Sequence, residues 1–294
     1  MYSVCAVIVN YHQPLLTRQA VDSVLASCGV QVRVILVDNE SDGALRKSLP
    51  RDDDRIVLLE NTGNMGFGAA CNQGMEYALG FGCDCVLLLN NDAIVAPEAI
   101  RQLAAAAGGH GLAAPKILLP DGRIYSAGGI VEIAKARCRN RGIYEEDRGQ
   151  YDQPELMRFA SACALMVSRR ALETGRRFHA PFFLYYEDAD FCLQMQEAGF
   201  RVAYTPSARV THLESATTSS GRGLGLLYYD ARNRFLFLRR HGKWFEKCMG
   251  ALWLVSVTKI RILSRLMRGR AREALVLFTG LIHGLLGRTG QWRG

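Results

Sequence analysis

Val86-Leu87-Leu88-Leu89-Asn90-Asn91-Asp92 is an apolar run that stops abruptly at two amides and an acid. Four successive apolar residues fit a central strand buried on both faces. An acid at the tip of such a strand sits at the carboxyl edge of a sheet, where open α/β folds bind their ligands. Asp92 is therefore the first candidate site residue, as a ligand to a metal bound to phosphate. Its alternative role is a helix cap before Pro97.

Working outward, the first third of the chain alternates. Residues 4–9, 32–37 and 56–59 read as strands. Residues 15–26 and 67–79 carry apolar side chains at helical spacing, and Pro97 suits the first turn of a further helix. Alternation at this pitch implies right-handed crossovers and a parallel α/β sheet flanked by helices. The middle, residues 113–152, is less regular, with turns at Gly128-Gly129 and an exposed loop around 137–148. Then come a strand at 162–167, a helix at 189–198 closed by Gly199, and two short strands at 202–204 and 209–211. Residues 215–225, rich in Thr, Ser and Gly, read as a flexible lid. Three helices follow, at 226–241, 244–267 and 271–286. The expected organisation is a main domain over 1–214, the lid, and a helical extension over 226–294.

The apolar fraction of 49% is ample for a packed core. Nine scattered cysteines without zinc-finger spacing, and no signal-peptide pattern, point to mostly buried thiols in a reducing cytoplasm. The net charge of +8 is uneven: residues 232–294 hold 14 Lys/Arg against 2 Asp/Glu, and the remainder is mildly acidic. A basic tail calls for an anionic partner, either nucleic acid or membrane. Its apolar runs, 249–257 and 274–282, are too short to span a bilayer. Amphipathic helices lying in the membrane interface fit this pattern, and so do helices packed onto the main domain.

Other polar residues fall at ends of elements. Asp38 closes the second strand, where an acid either accepts hydrogen bonds from a ribose or base or forms an Asx turn. Asn61-Thr62-Gly63-Asn64-Met65-Gly66-Phe67-Gly68-Ala69-Ala70-Cys71-Asn72 is a glycine-rich turn opening a helix. Such a turn lets backbone approach an anionic ligand, although it lacks the dinucleotide-binding spacing and position. Phe182-Phe183-Leu184-Tyr185-Tyr186-Glu187-Asp188-Ala189-Asp190 places three acids behind an aromatic run. Capping accounts for one or two of these acids. A carboxylate partly desolvated by aromatic rings can serve as a general base, and the rings can stack on a sugar. His212, after a short strand, is a good donor to a divalent metal.

Taken in order, these segments resemble the glycosyltransferase family 2 proteins of GT-A fold, and within them the bacterial rhamnosyltransferases. The resemblance rests on Val7-Ile8-Val9-Asn10-Tyr11, Val37-Asp38-Asn39, the 61–67 turn, Leu88-Leu89-Asn90-Asn91-Asp92, Tyr186-Glu187-Asp188-Ala189-Asp190, Arg209-Val210-Thr211-His212 and Tyr228-Tyr229-Asp230-Ala231-Arg232-Asn233-Arg234. It implies inverting transfer of a sugar, rhamnose by subgroup likeness, from a dTDP- or UDP-linked donor to a lipid-linked or cell-surface glycan acceptor. By the same resemblance, Asp38 holds the base, and Asn10, Asn64, Gly66, Asn72 and Asn91 border the nucleotide-sugar. Asp92 and His212, with Asn90, bind Mg²⁺ or Mn²⁺. Asp188 is the catalytic base, Glu187 and Tyr186 support the acceptor, and Arg232 contacts the diphosphate. The family's Asp-x-Asp starts here with Asn90, one charge fewer at the metal. Arg177-Phe178-His179-Ala180 stands where many relatives have a Phe-Asp-Glu turn.

The expected setting is the cytoplasmic face of the inner membrane, held by the basic tail, with no nucleic-acid partner. Two competing functions are a nucleotide-binding module associated with nucleic acid and a catalytically inactive scaffold. The tail's apolar content and the lack of aromatic–basic stacking platforms weigh against the first.

Overall fold

The computed structural model describes residues 1–40, 42–50, 53–213 and 223–294. β1 (Tyr2–Asn10) passes through α1 (Pro14–Leu25) to β2 (Val30–Asp38), and a short α2 (Ala44–Ser48) precedes β3 (Ile56–Glu60). α3 (Phe67–Gly80) returns the chain to β4 (Cys85–Asn90), followed by β5 (Ala93–Val95), α4 (Ala99–His110) and β6 (Gly111–Leu118). β1 lies parallel to β2 and β4, and β2 parallel to β3, as the alternating pattern requires. α3 packs so closely on β1 that a Cβ at Gly74 would stand 2.3 Å from Val7 Cγ1.

The less regular middle resolves into β7 (Ile124–Ser126) and a hairpin of β8 (Gly129–Glu132) and β9 (Arg137–Asn140). Then come β10 (Glu155–Met157), β11 (Ala164–Ser168), α5 (Arg169–Leu172), α6 (Glu187–Glu197) and β12 (Arg201–His212). The main sheet runs β10-β12-β6-β11-β4-β1-β2-β3, with β5 on β12 and β7 on β6. β11 is antiparallel to both neighbours, so a reversed strand divides the parallel nucleus from the parallel pair β6 and β12. The two short strands expected at 202–204 and 209–211 are one strand, β12. Its pairing with β6 shifts register between Thr205 and Arg209, where Pro206 has no N–H for the ladder. This continuity carries His212 to the rim: it pairs with Ala93 of β5, the neighbour of Asp92.

α7 (Gly223–His241), α8 (Trp244–Met267) and α9 (Ala271–Leu286) are the three helices read from the sequence. Residues 215–222 of the expected lid lie outside the described residues, and 223–225 form the first turn of α7. The helices pack onto the α/β body. Phe235, Phe237, Leu254 and Leu281 join the apolar cluster that holds Val7, Leu88 and Leu165 from β1, β4 and β11. Phe245, Met249, Leu252, Ile260 and Leu263 of α8 remain exposed. Among the described residues no helix is long and apolar enough to cross a membrane.

Candidate active site

The carboxyl ends of β1, β2 and β4 bring four predicted residues to one edge. The register sets Asn10 beside Asp38 and Val9 beside Asn90. Asn10 Nδ2 donates to Asp38 Oδ1 at 2.9 Å, and Thr17 Oγ1 donates to Asn10 Oδ1 at 2.7 Å. Asn91 Nδ2 donates to Thr17 Oγ1 at 3.2 Å. The network locks Asp38 while leaving its buried Oδ2 without a hydrogen bond among the described residues. An unpaired buried acceptor is expensive unless something donates to it, so this atom is suited to a ligand N–H or O–H.

His212 and Asp92 meet at the same rim, although 120 positions separate them in sequence. His212 Nε2 lies 3.1 Å from Asp92 Oδ1, with the residues 7% and 8% exposed. The Tyr125 ring stacks obliquely on the imidazole, centroids 4.3 Å apart. His212 Nδ1 is buried with no hydrogen bond among the described residues.

The aromatic–acidic segment is held in a strained shape. Phe183, Tyr185 and Tyr186 have φ of 66°, 68° and 76°, which bulky residues adopt only when their surroundings impose it. Two anchors impose it. From one side, Phe67 N–H donates to the Phe183 carbonyl at 2.9 Å. Gly66, at φ 87°, has no room for a Cβ, which would fall 2.6 Å from that same carbonyl oxygen. Asn64 shapes this turn by accepting from Gly66 N–H at 2.8 Å. From the other side, Asn233 Nδ2 of α7 reaches the carbonyls of Phe182, Leu184 and Tyr185 at 3.1, 2.7 and 2.9 Å. Arg232 adds a bond to the Phe182 carbonyl at 2.6 Å.

α6 begins at Glu187, two residues before the expected start, so all three acids stand in its first turn. Their environments differ. Burial pushes the Asp188 carboxyl up to about 6, although it accepts from the N–H groups of Ala189 and Ala162 at 2.8 and 3.3 Å. Burial, reinforced by the neighbouring Asp188 charge, pushes Glu187 well above the usual carboxylate range, and its Oε2 has no partner among the described residues. Asp190 goes the other way. Against the opposing effect of burial, His241 at 2.7 Å and Arg240 at 2.5 Å hold it below the ordinary value. Glu187, Asp188, Tyr185, Tyr186 and Tyr125 line one cavity of about 410 Å³. Tyr125 thus connects the cavity to the Asp92–His212 pair. A larger hollow of about 630 Å³ lies around Tyr2 and Asp84, at the strands' amino edge, away from all these groups.

Two expected roles are corrected. Asn72 has both ends of its amide engaged by the Phe178 backbone, each at 2.9 Å, which makes it a clamp between α3 and the 177–179 turn rather than a donor contact. Arg232 is fully buried, and its guanidinium is spent on backbone carbonyls and Asn233, so it does not face a diphosphate. Tyr186 lines the cavity, and its hydroxyl donates to the Ala136 carbonyl at 3.1 Å. Asn90 ends β4 half-buried, its backbone N–H on the Cys163 carbonyl. Asn233, Thr17 and Tyr125 were not singled out individually by sequence reasoning. For Asn233 a signal existed: it is an amide in phase with the apolar face of Tyr229, Leu236 and Phe237.

The model of the family described as glycosyl transferase family 2 matches residues 5–176. The chain belongs to this family. Among its relatives, the low-salt glycan biosynthesis hexosyltransferase Agl10 of Haloferax volcanii is 22% identical over 97% of this chain and 92% of its own. The N-acetylglucosaminyl-diphospho-decaprenol L-rhamnosyltransferase of Mycobacterium tuberculosis is 27% identical, covering 82% and 87%. The dTDP-rhamnosyl transferase RfbF of Shigella flexneri is 25% identical over 81% of each chain. Two solved structures share the architecture. The mannosyltransferase PcManGT of Pyrobaculum calidifontis, in complex with GDP-Man and Mn²⁺, aligns with a TM-score of 0.57 at 15% identity over 97% of this chain and 87% of its own. GalNAc-T7 with UDP, GalNAc and Mn²⁺ also gives 0.57, at 14% identity, over 72% of this chain and 43% of that longer one. The fold is thus of GT-A type, a mostly parallel sheet flanked by helices with C-terminal helices added, and the chain is a glycosyltransferase.

Proposed function

We propose that this family 2 glycosyltransferase inverts the anomeric centre of a sugar, rhamnose from a dTDP-linked donor being the first candidate, as it passes to a hydroxyl of a lipid-linked or cell-surface glycan. The observation that carries this reading is the 3.1 Å meeting of Asp92 and His212 at the sheet's carboxyl edge, linked by Tyr125 to the cavity holding Asp188. In this reading Asp38 Oδ2 accepts from the donor's base. The backbone around Asn64 and Gly66 borders the sugar. Asp188 takes the acceptor's proton as the hydroxyl oxygen bonds the anomeric carbon and the bond to the diphosphate breaks. A carboxyl at about 6 is ionised at neutral pH yet more basic than an ordinary aspartate, which suits that task. Glu187, whose carboxyl burial and the neighbouring Asp188 charge push up, stands beside it on the same turn and faces the acceptor in this reading.

The donor set also fits a hard divalent cation. A carboxylate and an imidazole nitrogen facing each other, Asp92 Oδ1 and His212 Nε2, are good ligands, and diphosphate oxygens and water complete such shells. Asp92, His212 and the Asn90 amide would hold Mg²⁺ or Mn²⁺. Among the described residues no third His, Cys, Asp or Glu joins them, so the protein share is small and affinity depends on the nucleotide. When bound, the cation supplies charge neutralisation at the leaving diphosphate.

Lys243, Lys247 and Lys259 accompany the exposed apolar stripe of α8, which supports attachment of residues 226–294 to an anionic membrane surface. Residues 1–214 then form the transfer domain.

The test is a thermal-shift screen of nucleoside diphosphates with and without Mn²⁺. One base should stabilise the protein by several degrees only with metal present, and Asp92→Ala should abolish that shift. Metal-independent stabilisation that survives in Asp92→Ala would overturn the assignment.

A further inference from the structure

The donor edge carries a carboxylate with no part in the reading above. His12, in the turn after β1, has φ of 58°, a left-handed conformation uncommon for a residue with a side chain. Glu40, two residues past Asp38 in the turn after β2, holds it there. Glu40 Oε2 accepts from the His12 backbone N–H at 2.8 Å, and Glu40 Oε1 contacts His12 Nδ1. One carboxylate thus grips both the main chain and the side chain of a single residue. The His12 ring in turn lies against the Tyr11 ring, centroids 4.1 Å apart. At the far end of the turn, Gln13 Oε1 accepts from Asn91 Nδ2 at 3.4 Å.

Glu40 is itself tied to Asp38. Its backbone N–H donates to Asp38 Oδ1 at 3.2 Å, the oxygen that also accepts from Asn10. Asn39 N–H donates to the Asn10 carbonyl at 3.0 Å. The two turns are therefore stitched together in step: Asn10 to Asp38, Asn10 to Asn39, His12 to Glu40. Beside this seam lies Asp38 Oδ2, the buried acceptor without a hydrogen bond among the described residues. The His12 side chain is 48% exposed, and a pair so open to water adds little to stability. Its consequence is geometric. We infer that Glu40 is a positioning residue for the donor's base, keeping the Tyr11-His12 turn as a preformed wall next to Asp38. This rests on the reading that Asp38 accepts from the base, and it adds a second carboxylate that acts on the base indirectly. A wall already in place need not be ordered when the ligand arrives, so its gain is in affinity for the base half of the donor.

The experiment is titration calorimetry on the full chain with Mn²⁺, using dTDP, UDP and GDP in turn, and methyl diphosphate as the probe without base or sugar. The wild type should bind one nucleotide more tightly than methyl diphosphate. Glu40→Ala should reduce that preference about tenfold, with methyl diphosphate affinity within about twofold and the melting temperature within about 2 °C of the wild type. Glu40→Gln keeps an oxygen for the His12 N–H and should retain most of the preference. A preference that survives Glu40→Ala overturns the proposal. So does an equal loss of nucleotide and methyl diphosphate, which would place the effect at the diphosphate or on the whole fold. So does a Glu40→Gln variant that falls as far as Glu40→Ala. A wild type that prefers no nucleotide over methyl diphosphate is a separate failure: it removes the base-binding reading of Asp38, and the proposal with it.

Discussion

The two halves of the candidate site are built by opposite means. On the donor edge, Asn10, Thr17, Asp38 and Asn91 hold one another through direct side-chain hydrogen bonds at the ends of paired parallel strands. None of these four residues has a positive φ. On the acceptor side, three aromatic residues sit at positive φ and two acids have raised pKa values, and the segment is held from outside by Gly66 and by Arg232 and Asn233 of α7. One edge follows from strand register. The other is a strained loop whose shape belongs to the elements around it. In the proposed reading the second half holds the base, whose raised pKa comes from poor solvation, and poor solvation opposes folding.

The largest effect should come from removing that base. Asp188→Asn is expected to lower turnover by about 10²–10⁴-fold while nucleotide affinity, measured by titration, stays within about twofold. A parallel loss of nucleotide binding would show that the two halves are not separable.

Asp190, two positions along the same helix, should behave in the reverse sense. Its carboxylate is buried and paired, so Asp190→Ala should destabilise the fold by about 3–5 kcal/mol in urea denaturation. The pH dependences should also oppose each other. A depressed folded-state pKa makes the Asp190 contribution present above the ordinary aspartate value and lost as the solution is acidified. The raised pKa of Asp188 makes its contribution fullest below the ordinary value of 3.8 and lost as pH climbs through about 6. Across that window the melting temperature of Asp188→Asn should gain on the wild type.

Asn233→Ala strips three carbonyls of their shared donor and should reduce stability by about 1–3 kcal/mol. Its sharper signature is kinetic: turnover falls about tenfold with donor affinity unchanged. An equal loss of donor affinity would mean that α7 supports both halves. The smallest effect is in the pH profile, where kcat/KM for the acceptor should drop about tenfold per pH unit below about 6. An inflection near 4 would assign the base to a normally solvated carboxyl.

The place of Asp92 was legible from residues 86–92 alone, because a short uniformly apolar strand followed by amides and an acid has few places to sit other than the rim of a parallel sheet. The three terminal helices were legible too, since their apolar spacing repeats over many turns. The joining of two short strands into β12 was not, because Pro206 reads locally as a break and only pairing with β6 carries the strand past it. Asn72 and Arg232 were misread for a related reason. Residue type and position near a motif suggested ligand contacts, but a side chain's hydrogen-bond partners come from segments remote in sequence, Phe178 for one and residues 181, 182 and 290 for the other.

By itself, then, the amino-acid order determined which elements form and which acids and imidazole stand at their ends, because periodicity and chain breaks act over a few residues. Only the tertiary structure decided what those groups are. Asp188 and Asp190 are the same residue on the same helical turn, and burial pushes one up to about 6 while the other is the anchor of an ion pair. That difference is set by Arg240 and His241, brought in by a helix some 50 positions away, and by the apolar wall that denies Asp188 the same company.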